Sequence, residues 1–280
     1  SKVIVPPQKI NNGVVHLQII EGYIDQVKIQ GPLRGPIKLL NAYRQKILKS
    51  RPLRSIDLER YLLLIDDLPG VTVKSVLEPS DDNNGASTLT LILADKAFEG
   101  YVGVDNRGSD FNGPYNFTGG LTANSLLGSY DRTGFQGVIT SQTEELLFTN
   151  MFYEFPINQE GTRLFFSGSI SESEPGSSLK KFDIKGDSST ITLRLTHPFV
   201  RSRGKNLTGH VGFTSRNSTT KILGSLDSKD QLRVMDLGVS YDYADEYRGV
   251  NLIQFNLSHG LNIFGATESG SSNLSRTLGK

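Results

Sequence analysis

The stretch Ser189-Thr190-Ile191-Thr192-Leu193-Arg194-Leu195-Thr196 puts Ile191, Leu193 and Leu195 on one side of an extended chain and Thr190, Thr192, Arg194 and Thr196 on the other. Successive side chains of a strand point to opposite faces, so this spacing describes a strand with one apolar and one wet face. The pattern repeats on both sides of it. Tyr115, Phe117, Leu121 and Ala123 alternate with Asn116, Thr118, Thr122 and Asn124, and Ile253, Phe255 and Leu257 alternate with Gln254, Asn256 and Ser258. From Phe98 onward the period predicts nine strands, at about 98–106, 115–126, 132–141, 145–155, 162–172, 187–196, 207–217, 232–243 and 250–259. Several reach ten residues, against about five or six in an ordinary sheet.

The predicted connections alternate too. Segments 105–114, 173–186 and 218–231 are polar and mostly long, 128–131, 156–161 and 244–249 are tight, and 197–206 is of intermediate length. A meander crossing an outer membrane has this asymmetry, with longer loops outside and short turns in the periplasm. Phe98, Tyr115, Phe155, Tyr241 and Tyr243 lie near strand ends, where interfacial aromatics belong, although the chain has no tryptophan. Alternation by itself leaves a soluble β-sandwich, a lipocalin-like barrel or a β-rich interaction module open, since ordinary solvent would also explain Glu99, Asp105, Gln136, Arg163, Arg194, His210, Asp236, Asp242 and Gln254.

Composition fits a strand-built membrane protein better than a helical one. Only 36% of the 280 residues are hydrophobic, with 29 glycines, whereas a transmembrane helix needs about 20 consecutive apolar residues. The 30 Lys and Arg balance 29 Asp and Glu, so no basic field points to nucleic acid. The absence of cysteine excludes disulfides, thiolate metal sites and a cysteine nucleophile. The N-terminus, Ser-Lys-Val-Ile-Val-Pro-Pro, has no basic region followed by an apolar signal core, which implies a processed start or a start inside a longer protein.

Before Phe98 the periods are mixed. Val14 to Ile20 reads as a strand, Glu21-Gly22 as a break, and Ile24 to Ile29 as a strand ending at Gly31-Pro32. Ile37, Leu40, Tyr43, Ile47 and Leu48 recur at helical spacing between Pro36 and Pro52. Ser55 is expected to cap a second helix, with Ile56, Tyr61, Leu62, Leu64, Ile65 and Leu68 on its apolar side and Pro69-Gly70 as its stop. Strands at 71–77 and 87–93 follow, joined by a turn at 79–85. The unit is β-α-α-β-β, for which a three-stranded sheet with both helices on one face is the simple two-layer solution.

The order of these segments resembles the TpsB transporters of two-partner secretion, members of the Omp85 superfamily that export and activate haemolysins and filamentous adhesins. The resemblance is carried by Pro6-Pro7-Gln8 followed by Asn12-Gly13, by Leu17-Gln18-Ile19-Ile20-Glu21-Gly22-Tyr23-Ile24, by the helix from Leu53 to Pro69-Gly70, and by the run from Phe98-Glu99-Gly100-Tyr101 to Asp105-Asn106-Arg107-Gly108. It spans essentially the whole chain. It implies that residues 1–22 end a first POTRA domain, 23–96 form a second, and 98–280 begin an outer-membrane barrel, incomplete here. Family members are expected to have sixteen strands, a plug helix and an Arg-containing inward loop late in the barrel. This chain matches neither of those last two features and is expected to be a piece of a longer protein.

The resemblance implies a POTRA module in the periplasm and a barrel in the lipid of the bacterial outer membrane, exporting an extended, TpsA-like exoprotein without ATP. The wider superfamily's role, assembly of outer-membrane proteins, and a passive pore are the alternatives. Docking is expected at a sheet edge and groove near Ile56, Tyr61, Leu64 and Ile65 with Val71, Val73 and Val76, because strand addition gives affinity without demanding one sequence. Leu39, Tyr43 and Arg60 are expected at partly exposed groove positions, and Glu99, Asn124, Arg163, Arg194, His210 and Asp242 along the lumen. Motifs for catalysis or metal binding do not emerge, and no cofactor is expected. His16, His197, His210 and His259 share no ligand spacing, and Asp81-Asp82-Asn83-Asn84-Gly85 lacks the later glutamate of a calcium loop and reads as a hairpin turn.

Overall fold

A computed structural model describes every residue except 1, 9–12, 34, 81–82, 84, 269–272 and 276–280, and the backbone but not the side chain of Lys2. Asn12, and Asp81, Asp82 and Asn84 of the hairpin turn, lie outside the described residues. The chain opens with a two-stranded antiparallel ribbon of β1 (Lys2–Ile4) and β2 (Gln18–Ile20). Of the strand expected from Val14 onward, the last three residues form β2 and Val14 makes an isolated bridge. Then come β3 (Tyr23–Gln30), α1 (Ile37–Lys49), α2 (Ser55–Asp66), β4 (Val71–Pro79) and β5 (Ala86–Asp95).

These five elements make the two-layer unit that the sequence implies. The sheet order is β3-β5-β4, with β3 parallel and β4 antiparallel to β5. Both helices and β4 lie between β3 and β5, so this parallel pair is made across a long crossover and not by a tight hairpin. Val27, Leu89, Leu91 and Leu93 of the sheet close a core with Leu40, Tyr43 and Ile47 of α1 and Tyr61, Leu64 and Ile65 of α2. Ser55 is not the cap expected of it: Arg54 occupies the cap position and Ser55 is the first helical residue. The upstream Ser50 Oγ instead accepts the Arg54 N–H at 3.1 Å and donates to Asp57 at 2.8 Å, tying the preceding loop to the first turn without a side-chain cap on the helix.

The remainder is one antiparallel meander: β6 (Phe98–Asp105), β7 (Asn116–Asn124), β8 (Arg132–Thr140), β9 (Leu147–Pro156), β10 (Arg163–Ser173), β11 (Lys185–Arg201), β12 (Lys205–Ile222), β13 (Ser225–Ala244) and β14 (Val250–Gly260). Each pairs with its sequence neighbours, and the nine-stranded sheet does not close on itself. Two predicted connections are strand instead. Residues 197–206 contract to a turn at 202–204, and 218–231 become the top of a hairpin that reverses at Leu223-Gly224. Leu223 has φ 52° and Gly224 φ 72°, the left-handed pair that a two-residue hairpin requires. Side chains in 218–231 are mostly polar on both faces of the strands, buried Ser228 included, so period two carries no hydrophobic signal there.

Register fixes which side chains share a face. Leu121, Phe135, Met151 and Ile191 fall in one cross-strand row, interrupted by Gly168, and Phe166, Leu193, Phe213 and Met235 fall in the next. Leu195, Val211, Leu237 and Leu257 form a third. This apolar face is bare: Met151 is 58% and Phe255 63% exposed. A sheet in water would not leave contiguous rows of this kind uncovered, so the observation separates a lipid-facing sheet from a sandwich, whose apolar face packs.

Met151→Arg or Phe166→Arg should therefore impair insertion by about 2–4 kcal/mol, read as lost heat-modifiable migration after folding into liposomes. Thr192→Arg, on the opposite face, should insert normally.

Candidate functional site

The second face of the sheet carries its charged and most of its polar side chains, interspersed with aromatics such as Phe148, Phe152 and Phe165. Glu99, Asn124, Arg163, Arg194, His210 and Asp242 all fall on it by register, as do Arg132, Glu154, Asp236 and Gln254. At mid-height His210 Nε2 lies 3.2 Å and Arg194 Nε 4.0 Å from Asp236 Oδ2. Glu99 and Arg194 are exposed. Asn124 is buried instead, because its amide donates to Lys96 O at 2.9 Å where β5 passes into β6. It packs on Gly70, where an added Cβ would lie 2.6 Å from the Asn124 Cβ.

Towards the end of the sheet that carries the short turns, this face holds a continuous ladder of charge. Glu154 sits between Arg132 at 3.7 Å and Arg163 at 3.5 Å. Arg163 also approaches Asp67 at 3.7 Å, and Asp67 takes a bidentate pair of 2.8 Å bonds from Arg201. Arg201 continues to Asn206 at 3.0 Å, and Asn206 to Asp242 at 2.8 Å. Asp67 is the C-cap of α2, so two guanidinium groups meet both a carboxylate and the negative end of a helix. The α/β unit thus reaches onto the polar face of the sheet.

Further contacts join α1 and α2 to the turns. Glu160, between β9 and β10, accepts from Lys46 at 2.7 Å and lies 3.7 Å from Arg60. Arg60 also donates to the carbonyls of Glu160, Pro198 and Phe199 at 3.1–3.3 Å. Glu59 accepts the N–H of Arg203 at 2.8 Å. From the turn between β7 and β8, Tyr130 enters the core of the α/β unit and is 1% exposed there. Burial pushes its hydroxyl, and that of Tyr43, up to about 12. The partly exposed ion pairs contribute roughly 0–1 kcal/mol each, whereas truncating a buried aromatic costs about 3–5 kcal/mol.

A family model described as haemolysin secretion/activation protein ShlB/FhaC/HecB matches residues 88–278, well over half of the chain. The chain belongs to this family. Heme/hemopexin transporter protein HuxB of Haemophilus influenzae is 27% identical over 222 residues, covering 79% of this chain and 39% of that protein. Among solved structures, CdiB from Escherichia coli superposes with a TM-score of 0.77 at 23% identity, covering 96% of this chain and 50% of that one. CdiB from Acinetobacter baumannii gives 0.61 at 17% identity, covering 92% and 50%. The chain therefore spans about two-fifths of the curated relative and half of each solved neighbour.

Membership in the haemolysin secretion/activation (TpsB) family places the nine strands in the outer membrane and the POTRA-like α/β unit on its periplasmic side. Against that frame the expected groove positions divide. Tyr43 is core, 1% exposed, and Tyr61 is 9% exposed, its ring centroid 6.1 Å from that of Tyr43. Leu64 and Ile65 are core as well. Arg60 is committed to the barrel turns, and Leu39 is half-buried beside the core. Ile56 and Val76 are exposed. The sequence reading missed Asp67, Glu160, Arg201 and Tyr130, which join the two modules. The one available signal was an aromatic, Tyr130, in a tight turn that also holds Leu126 and Leu127. Among the described residues no three His, Cys, Asp or Glu side chains converge to hold a metal.

Asp67→Ala should leave Arg163 and Arg201 facing each other without their shared carboxylate, loosening the POTRA-like unit by about 1–3 kcal/mol. Faster amide exchange at the C-terminal turn of α2, with exchange in β10 and β11 unchanged, is the expected readout.

Proposed function

We propose that the protein to which this chain belongs exports a partner exoprotein across the outer membrane, receiving it in extended form at the POTRA-like unit and passing it along the polar face of the strands. The observation that carries this reading is the two-faced sheet joined through Asp67 and Tyr130 to a small domain with an open strand edge. Strand β4 pairs with β5 on one side and ends the three-stranded sheet on the other. An unfolded chain can add to such an edge through its backbone, and Val76 and Leu77, 42% and 51% exposed, offer apolar contact beside it. Ile56 is exposed on α2, the helix that packs on β4, and Tyr61 and Arg60 hold that helix in place, while Leu39 and Tyr43 belong to α1 over β3.

Beyond the docking edge the lining would be Glu99, Arg163, Arg194, His210 and Asp242, with Asn124 at the entrance. Mixed charge facing water discourages tight binding of a passing segment, and no residue on this face needs to enter hydrocarbon. The relatives named above are described as transporters, which fits an activity of passage with no chemical step. Residues 1–22, whose ribbon exposes Val3, Val5, Leu17 and Ile19, would finish a preceding POTRA domain, 23–96 the one described, and 98–280 the start of the barrel. Folding of the exoprotein outside the cell supplies direction in this scheme.

Photo-crosslinkers at Val76, Thr192 and Ile191 of the full-length protein test it during export. Adducts with the exoprotein are expected at Val76 and at inward-facing Thr192, with none at lipid-facing Ile191. Equal adducts at Ile191 and Thr192, or export that persists without the protein, would contradict the scheme.

A further inference from the structure

The turn between β7 and β8 is built to hold one side chain outside its own sheet. Asp131, fully buried, accepts the N–H of Leu127 at 3.2 Å and of Ser129 at 3.0 Å, while its carbonyl takes the Ser125 N–H at 2.6 Å. Between them Tyr130 has φ 52°, a region that a bulky residue enters only under strain. Its ring is the one side chain from beyond β5 in the buried core of the POTRA-like unit, among the described residues. Gly35, just before α1, provides the seat: a Cβ there would lie 2.4–2.6 Å from three ring carbons. The hydroxyl is buried with no hydrogen-bond partner among the described residues.

A turn that only had to reverse the chain would carry Gly or Asn at positive φ and leave no polar atom unpaired. Tyr130 accepts both penalties, and the result is a barrel residue packed into the periplasmic unit. The charged contacts around Asp67 and Glu160 are partly exposed and weakened by salt, so they align the two modules, while the ring fixes where they meet.

We propose that Tyr130 is a positioning residue for export, seated against Gly35 so that a chain docked on β4 is held at the entrance of the polar face. The proposal rests on the transport reading above. Presentation at a fixed site raises the effective concentration of the docked segment at the entrance, and a loosened joint loses that advantage.

The test uses the full-length protein in outer-membrane vesicles, with spin labels on cysteines introduced at exposed Lys28 in β3, away from the docking edge, and Glu246 in the turn between β13 and β14. Tyr130→Phe should keep a narrow inter-label distance and full export, since the hydroxyl bonds to none of the described residues. Tyr130→Ala should broaden the distance and reduce export roughly ten-fold or more, with heat-modifiable migration showing an inserted barrel. Gly35→Ala perturbs the same seat from the other module without deleting the ring, and decides the matter if Tyr130→Ala unfolds the POTRA-like unit. An unchanged distance in Gly35→Ala, or a broadened one with export intact, overturns the positioning role. Absence of export by the unsubstituted protein overturns the transport reading instead.

Discussion

Backbone amides and carbonyls cannot be left unpaired in hydrocarbon, and a strand can satisfy them only through its neighbours. That constraint accounts for a meander in which every strand pairs with the ones before and after it, and it dictates the period of two. Once pairing is fixed, alternate side chains face opposite solvents. The rows through Leu121 to Ile191 and through Phe166 to Met235 belong to one solvent, and those through Arg163, His210 and Asp236 to the other. Glycine marks places where large side chains lie flat on the sheet. A Cβ at Gly134 would meet the Phe152 ring and one at Gly120 the Tyr101 ring, so these aromatics cover backbone that would otherwise face water.

The same two-solvent arrangement explains how the POTRA-like unit is attached. It sits at the short-turn end, where the lipid face has ended and the polar face is still charged, and it presents Asp67 to arginines that already belong to the ladder of Glu154, Asn206 and Asp242. Charge makes that contact specific in direction but weak in energy. Apolar burial does the holding, with Tyr130 in the helical core and Leu64 against Gly161 and Pro198. A domain attached this way can transmit its orientation to the strands, which a flexible tether would not do.

Much of this was legible in the sequence, for identifiable reasons. The nine strands could be read because each has one apolar face, and the α/β unit because helices and strands differ in period. Segments 197–206 and 218–231 read as loops in the sequence because the hydrophobic alternation stops there, although hydrogen bonding does not. The polar residues of one face follow from parity alone. Which of them touch the other module does not, since Asp67 to Arg201 is a contact across 134 residues whose members look like ordinary surface charge. For Tyr43 and Tyr61 the amphipathic pattern shows that a face is covered without showing how deeply. They lie in the core.

The chain lacks cysteine, so accessibility can be read one residue at a time. Single cysteines along β10 and β11, from Leu164 to Ser169 and from Thr190 to Leu195, would be treated with a membrane-impermeant maleimide in intact outer membranes carrying the full-length protein. The account predicts labelling that alternates strictly, with Phe165, Ser167, Thr192 and Arg194 positions reactive and Leu164, Phe166, Ile191 and Leu193 protected. Uniform labelling of both sets, or protection of the polar set alone, would contradict a sheet with hydrocarbon on one side and water on the other.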